Sequence, residues 1–391
     1  MELAPFVPPS RFTKDNKTMD NKTMIKMRDF FYQSGKDGKQ RHAHQTWYRG
    51  EHCNFIASKN NLKETDAIDK YVLSGWVPQS PFIRRDTCVT AFGSCFAQHI
   101  TEYLQNKGYT TGATLVEKDM LSDFHDSHVI EFGEGIVNTF AILQQFEFAC
   151  ENRDFSENLW YGSNGQLAEY NERIRAATAR LFERTEVFIL TLGLSEVWYN
   201  KTTGEVFWRA IPREKFDSDI HGFKVSTCQE NIDNLEKIYT LIRKRKPDAS
   251  IVFTLSPIPL VATFRPVSCL TASTVSKAIL RTAVDELIRN HERDKNLYYW
   301  PSYEIVKEYF HDPYLEDNRH VKPNVLETVM RKFEQYYLAE TEPASTKMKE
   351  SVIQSRLARI RQRPLQFARR LYHWRQPQNL ESLKTGGPHR A

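Results

Sequence analysis

The chain predicts an α/β protein, a three-layer α/β/α sandwich around a mainly parallel sheet, with a basic C-terminal extension. Three observations carry this expectation. From Thr87 onward, short β-branched or aromatic runs alternate with long segments whose apolar residues recur every three or four positions, the βα alternation of a doubly wound fold. The strand-like runs are almost continuously apolar, as strands covered on both faces are. The last periodic segment opens with Pro323, and a first helical turn accepts a residue without an N–H.

In order, strands are expected at 88–93, 186–193, 250–256 and 297–302, with a weaker one at 111–116. Helices are expected at 96–107, 137–150, 168–184, 229–245, 274–293 and 323–339. Between 194 and 228, "EVWYN" and "EVFWR" flank Lys201-Thr202-Thr203-Gly204 and read as a hairpin standing on the edge where the strands end. Residues 1–40 are polar, repeat "DNKTM" and are expected to be a disordered leader. Residues 41–340 are expected to form the main domain and 341–391 the extension.

The 391 residues are 40% hydrophobic and 26% charged, and no apolar run reaches membrane-spanning length. No secretory pattern opens the chain, so a cytoplasmic location is expected. Six singly placed cysteines lack zinc-site spacing, and no metal is expected. The net charge of +5 belongs to the tail, where residues 341–391 carry 11 Lys/Arg against 3 Asp/Glu. Within 355–376, Leu357, Ile360, Phe367, Leu371 and Trp374 lie among arginines, divided by Pro364. Such a stretch suits peripheral attachment to an anionic membrane surface, and equally a helical pair packed on the domain with its arginines solvated. No module pattern for specific nucleic-acid recognition accompanies the charge.

The chemistry concentrates at two places. Gly93-Ser94 falls between a strand and a helix, a turn that presents a hydroxyl beside helix N-terminal N–H groups. Taken alone, serine's strength as a helix N-cap explains it equally well. The second place is "LEDNRHVKP", where Asp317 and His320 stand in a D-x-x-H spacing: a carboxylate that accepts from the imidazole Nδ1–H leaves Nε2 as a base. Together they give the order Ser…Asp…His. Cys95 is expected to point into the first helical turn. His99 faces either the cleft or a packing partner, and His311-Asp312 has the wrong order for this dyad.

The segment "AFGSCFA" (91–97) resembles the signature that names the GSCFA family, a branch of the SGNH/GDSL-like esterases and acyltransferases. "GWVPQSPFI" (75–83), "GEGIVNTFAI" (133–142), "ILTLGLSEVW" (189–198), "VFTLSPIPL" (252–260), "SKAILRTAVDEL" (276–287) and "YWPSYEIV" (299–306) are similar to further blocks of that family, so the resemblance spans roughly 70–330. It implies an SGNH-hydrolase-like, flavodoxin-like topology, with Ser94 as nucleophile, His320 as base and Asp317 orienting it. In that superfamily the oxyanion donors are the nucleophile's own N–H, a glycine after the second strand and an asparagine after the third. Here the third block reads Gly193-Leu194-Ser195-Glu196 and lacks the asparagine. Asn138 is the candidate replacement, Gly135 the candidate backbone donor, and Gly193 a residue that lets the chain turn. Glu196 and Trp198 either line an acceptor site or close the hairpin.

The implied activity is esterase or O-acyltransferase chemistry on a carbohydrate or other alcohol hydroxyl, with no cofactor required and acyl-CoA as the donor that a cytoplasmic location makes available. The rival expectations are a catalytically degenerate fold that binds a carbohydrate or a partner, and a membrane-surface enzyme acting on lipid acyl chains.

Overall fold

From Val89 on, the strands in chain order are β1 (Val89–Phe92), β2 (Val187–Leu192), β3 (Glu196–Asn200), β4 (His221–Val225), β5 (Ser250–Leu255) and β6 (Leu297–Trp300). This computed structural model describes residues 31–33, 36–42, 54–117, 127–131, 135–155, 157–161, 167 and 169–339. Four strands pair in parallel in the order β1-β2-β5-β6, with Phe92 opposite Leu190, Leu192 opposite Leu255 and Thr254 opposite Trp300. Alternate side chains leave opposite faces. Phe92, Phe188, Leu190, Phe253 and Tyr299 enter one apolar cluster, and Val89, Val187, Ile189, Val252 and Trp300 enter the other.

The first cluster is closed by α2 (Thr139–Cys150), α3 (Glu172–Arg184), α4 (Cys228–Arg245) and α5 (Cys269–Asn290), which contribute Phe146, Leu181, Leu235 and Leu280. The second is closed by α1 (Cys95–Asn106) and α6 (Pro323–Tyr337) through Ile100, Leu104, Val329 and Phe333. The fold is therefore the expected α/β/α sandwich. Helix starts follow local chemistry: Thr227 and Glu230 form a reciprocal capping box on α4, and Pro323 occupies the first turn of α6.

Three expectations change. Residues 111–116 are not a strand but lead into a helix, Gly112–Glu117, because the Thr111 hydroxyl accepts from the Thr114 N–H (3.1 Å) and starts a turn. Thr111 itself still bridges Val89 in parallel. That bridge occupies the second-strand position of a 2-1-3-4-5 order, so the topological switch point falls between β1 and β2. The 201–204 hairpin forms at its turn, with Gly204 N–H donating to Asn200 O, Asn200 N–H to Glu205 O and Phe207 N–H to Trp198 O (each 2.8 Å) around the Tyr199–Val206 bridge, but "EVFWR" continues no further along β3. Phe207 and Trp208 are instead buried in the core, Trp208 Nε1 donating to Gln144 Oε1 (3.0 Å), and β3 pairs antiparallel with β4. Finally, an antiparallel ribbon, Phe31–Gln33 with Gln40–His42, begins inside the stretch 1–40 expected to be an unfolded leader and runs past its boundary. The basic segment 355–376 lies outside the described residues.

The crossover from β1 into α1 has little room. Gly93 has φ +138°, and a Cβ built on it would lie 2.1 Å from the Thr191 carbonyl oxygen on β2. Gly93→Ala is thus expected to cost about 3 kcal/mol or more, through backbone strain and a contact with main chain that cannot move aside. A urea midpoint in Gly93→Ala equal to that of the wild type, at unchanged m, would contradict this.

Candidate active site

Ser94 stands at the C-terminal edge of β1, at the switch point. It is the N-cap of α1, with extended backbone (φ −86°, ψ 173°), and its Oγ accepts from the Phe96 N–H (3.2 Å). Its own N–H donates to no acceptor among the described residues. The residue is 6% exposed. Its hydroxyl thus sits at the positive end of a twelve-residue helix, where negative charge on Oγ or on a neighbouring oxygen is favoured. Cys95 is half-buried, and His99, 44% exposed, lies on the α1 surface 3.9 Å from Glu102.

Asp317 and His320 lie in a tight loop closed by the Tyr314–Val321 bridge and by the Leu315 N–H bond to His320 O (2.8 Å), with Asn318 at φ +51° making the reversal. Asp317 Oδ1 accepts from the N–H groups of Arg319 and His320, both at 3.0 Å, while Oδ2 accepts from His320 Nδ1. An ionised carboxylate can only accept, so Nδ1 carries the proton and the neutral ring's lone pair is on Nε2. The hydrogen bond from His320 holds the Asp317 carboxyl down at about 2. Two contacts hang this loop on the chain just past β5: Tyr314 Oη donates to Pro257 O (2.7 Å) and Arg319 Nε to Pro259 O (3.4 Å). β5 is two strands from β1, a separation of about 10 Å, so the loop and Ser94 share one edge of the sheet. No hydrogen bond joins Ser94 to His320, whose side chain is 54% exposed. The Asp–His half and the Ser94 turn are each formed, but not linked. His311-Asp312 plays no part here; Asp312 pairs with Lys322.

The turn before α2 reaches the same edge, since Gly193 N–H donates to Val137 O (2.8 Å). That bond engages the Gly193 N–H within the scaffold. Asn138, 2% exposed, caps α2 by accepting from the Ala141 N–H at Oδ1 (2.8 Å), and its Nδ2 donates to no group among the described residues. Capping and donation therefore use different atoms of the same amide. Gly135 is needed for space: a Cβ there would lie 2.1 Å from the Trp160 ring, over which Arg209 stacks at 4.3 Å. The third block offers no exposed side-chain donor. Ser195 is fully buried with its N–H on Ser276 Oγ (2.7 Å), and Glu196 accepts from the Thr263 hydroxyl (2.8 Å) with Arg265 at 3.9 Å. Glu196 is thus an anchor for the loop after β5. Trp198 packs on Phe216, Phe223 and Phe264, of which Phe216 and Phe264 remain half exposed.

One residue here carried no sequence signal beyond its place in "SKAILRTAVDEL". Lys277, on α5, is 3% exposed, and its Nζ donates to Gly193 O (2.6 Å). Burial pushes its ammonium down to about 7, while the nearby Cys95 thiol raises it and the Arg319 guanidinium lowers it further. Lys277 is therefore within electrostatic reach of Cys95 on α1 and of Arg319 on the His320 loop. A lysine in a helix reads as solvated until tertiary structure covers it. Among the described residues, no group of three or more His, Cys, Asp or Glu side chains could hold a metal ion.

The Asp317–His320 pairing is open to measurement. The Asp317 carboxyl carbon, followed by NMR, should titrate near pH 2 and move up toward the ordinary value of about 3.9 in His320→Ala. Because the folded value is depressed, the stabilising contribution is complete above the unfolded value and is lost as pH falls toward 2. An Asp317 midpoint that His320→Ala leaves in place would remove the pairing.

Among the described residues, no helix is long and apolar enough to cross a membrane. A comparison with curated proteins returns no match. The sequence profile of the GSCFA family matches residues 88–333, from the strand that delivers Ser94 to the helix that follows His320. That span is well over half of the chain and contains the whole parallel sheet. The chain belongs to the GSCFA family.

Proposed function

We propose that the protein moves acyl groups through Ser94, as an esterase or as an O-acyltransferase whose acceptor is a carbohydrate or polysaccharide-precursor hydroxyl. The observation that carries the reading is the Asp317–His320 pair, oriented with Nε2 as its basic nitrogen and tethered to the sheet edge at which Ser94 caps α1. In the reaction, Ser94 Oγ attacks the acyl carbonyl carbon as His320 Nε2 takes the hydroxyl proton. The tetrahedral oxyanion is met by the Ser94 N–H and Asn138 Nδ2. The C–O or C–S bond to the leaving group breaks as that group takes the proton from His320. Water or a sugar hydroxyl then attacks the acyl-enzyme with the same base. Closure of His320 onto Ser94 belongs to the liganded state, since such contacts are often long without substrate. The half-exposed aromatics around Trp198 supply an apolar rim for an acyl chain or a sugar face. Acyl-CoA is the donor proposed for a cytoplasmic setting, and no cofactor has a role in this scheme.

A second reading, a degenerate fold that binds a carbohydrate or a partner without turnover, is favoured by the buried Ser195 in place of a donor asparagine. A fluorophosphonate probe separates the two. Covalent labelling of Ser94, abolished in a folded Ser94→Ala variant, is expected of the enzyme and not of the binding module. His320→Ala should be nearly as damaging to turnover as Ser94→Ala, a loss of several orders of magnitude, and Asp317→Asn less so. An active Ser94→Ala protein, or an inactive Cys95→Ala one with Ser94 intact, would reassign the nucleophile.

The Asn138 amide allows a sharper division. Asn138→Asp keeps the capping oxygen and loses the donor, so stability should hold while turnover falls by roughly 10²–10³. Asn138→Ala should lose the same turnover and in addition about 1 kcal/mol of stability. If Asn138→Asp retains turnover, the oxyanion role is wrong.

A further inference from the structure

The carbonyl and the N–H of Gly193 are both held, by different elements. Its oxygen accepts from Lys277 Nζ on α5 (2.6 Å), and its N–H donates to Val137 O (2.8 Å), the peptide immediately before Asn138. Continuing the β1–β2 register past Phe92 and Leu190 puts Gly93 opposite Thr191 and Ser94 opposite Leu192, so Gly193 stands one residue from the position facing the proposed nucleophile. Neighbouring strands are about 4.8 Å apart. Cys95 and Arg319 are the charged or titratable groups that act on Lys277, one from α1 and one from the loop that carries His320. Among the described residues no carboxylate pairs with Lys277 or with Arg319, whose guanidinium meets only the Pro259 carbonyl. A buried lysine whose amine meets a carbonyl and no carboxylate is a costly arrangement unless negative charge is to be accommodated nearby.

We infer that Lys277 is the positioning residue of the oxyanion side: through Gly193 and Val137 it holds Asn138 in place beside Ser94, and it sets a positive charge behind the turn where the family's superfamily carries an asparagine. The inference rests on the acyl-transfer reading above. The protonated amine performs both tasks. Deprotonation removes the charge and weakens the charge-assisted bond to Gly193 O. A displacement of Asn138 of the order of 1 Å is enough to cost about 10²-fold in rate.

The test uses the full-length chain and a chromogenic acyl ester, with kcat, KM and pH profiles measured for wild type, Lys277→Met and Lys277→Arg. Fluorophosphonate labelling of Ser94 and a thermal melt are recorded on each. Lys277 predicts an alkaline limb in the wild-type kcat profile near pH 7, because activity needs the ammonium and falls as pH rises through its value. Lys277→Arg, which stays charged, should remove that limb and retain most of kcat. Lys277→Met should lower kcat roughly 10²-fold at all pH values with KM little changed, and should also lack the limb. A folded Lys277→Met protein with wild-type kcat and profile would make the lysine a packing strut and overturn the inference alone. Should Lys277→Met fail to fold, an alkaline limb that persists in Lys277→Arg overturns it equally. A wild-type protein whose Ser94 takes no label overturns the acyl-transfer reading, and this inference with it.

Discussion

The candidate site depends on the contact between the main chain at Gly93 and the Thr191 carbonyl. Strand spacing alone leaves room for a side chain between neighbouring strand ends, yet here the backbone of the first crossover presses onto the second strand closely enough to exclude a methyl group. That approach turns the chain from β1 into α1 within two residues, Gly93 and Ser94, and leaves Ser94 at the head of the helix. The other parts of the site are arranged around the same strand end. Gly193, two residues beyond Thr191, accepts from Lys277 and donates to Val137, so the turn before α2 and the helix α5 are both referred to a point next to the serine.

Two kinds of chemistry are built on different degrees of rigidity. The Ser94 and Asn138 side chains are buried and fixed by helix caps. The Asp317–His320 loop is more exposed, and it is attached through Tyr314 and Arg319 to carbonyls in the proline-containing run after β5. Local stability follows burial and contact density, so the acid–histidine loop is the part of the site with freedom to move while the serine side stays put.

The sheet, its flanking helices and the positions of Ser94, Asp317 and His320 were legible in the amino-acid order because each rests on local information: apolar runs, helical periodicity, a small-residue turn and a three-residue spacing. What was not legible depends on contacts far apart in sequence. "TGATLV" has strand-like composition, and only the hydroxyl of Thr111 reaching Thr114 decides for a helix. "EVFWR" alternates like a strand and meets β3 through Glu205 and Phe207, but Trp208 turns its N–H to Leu159 O and ends the pairing. Lys277 is an ordinary helical lysine until Gly193, 84 residues earlier, covers its amine. Glu196 reads in sequence as lining an acceptor site or closing the hairpin, and Thr263 and Arg265 from another loop engage it instead.

The reduction of the second strand to one Thr111–Val89 bridge changes what the sheet can do with its borders. Both border strands, β1 and β6, are four residues long against six for the two inner ones. Neither "VTAF" nor "LYYW" contains a proline, a lysine or any other charged residue, the usual guards against recruitment of a foreign strand. Brevity takes their place. A ladder of four residues offers an incoming chain too few main-chain bonds to offset the entropy of ordering it, so the sheet resists edge-to-edge growth into aggregates while keeping apolar borders that its own helices need for packing.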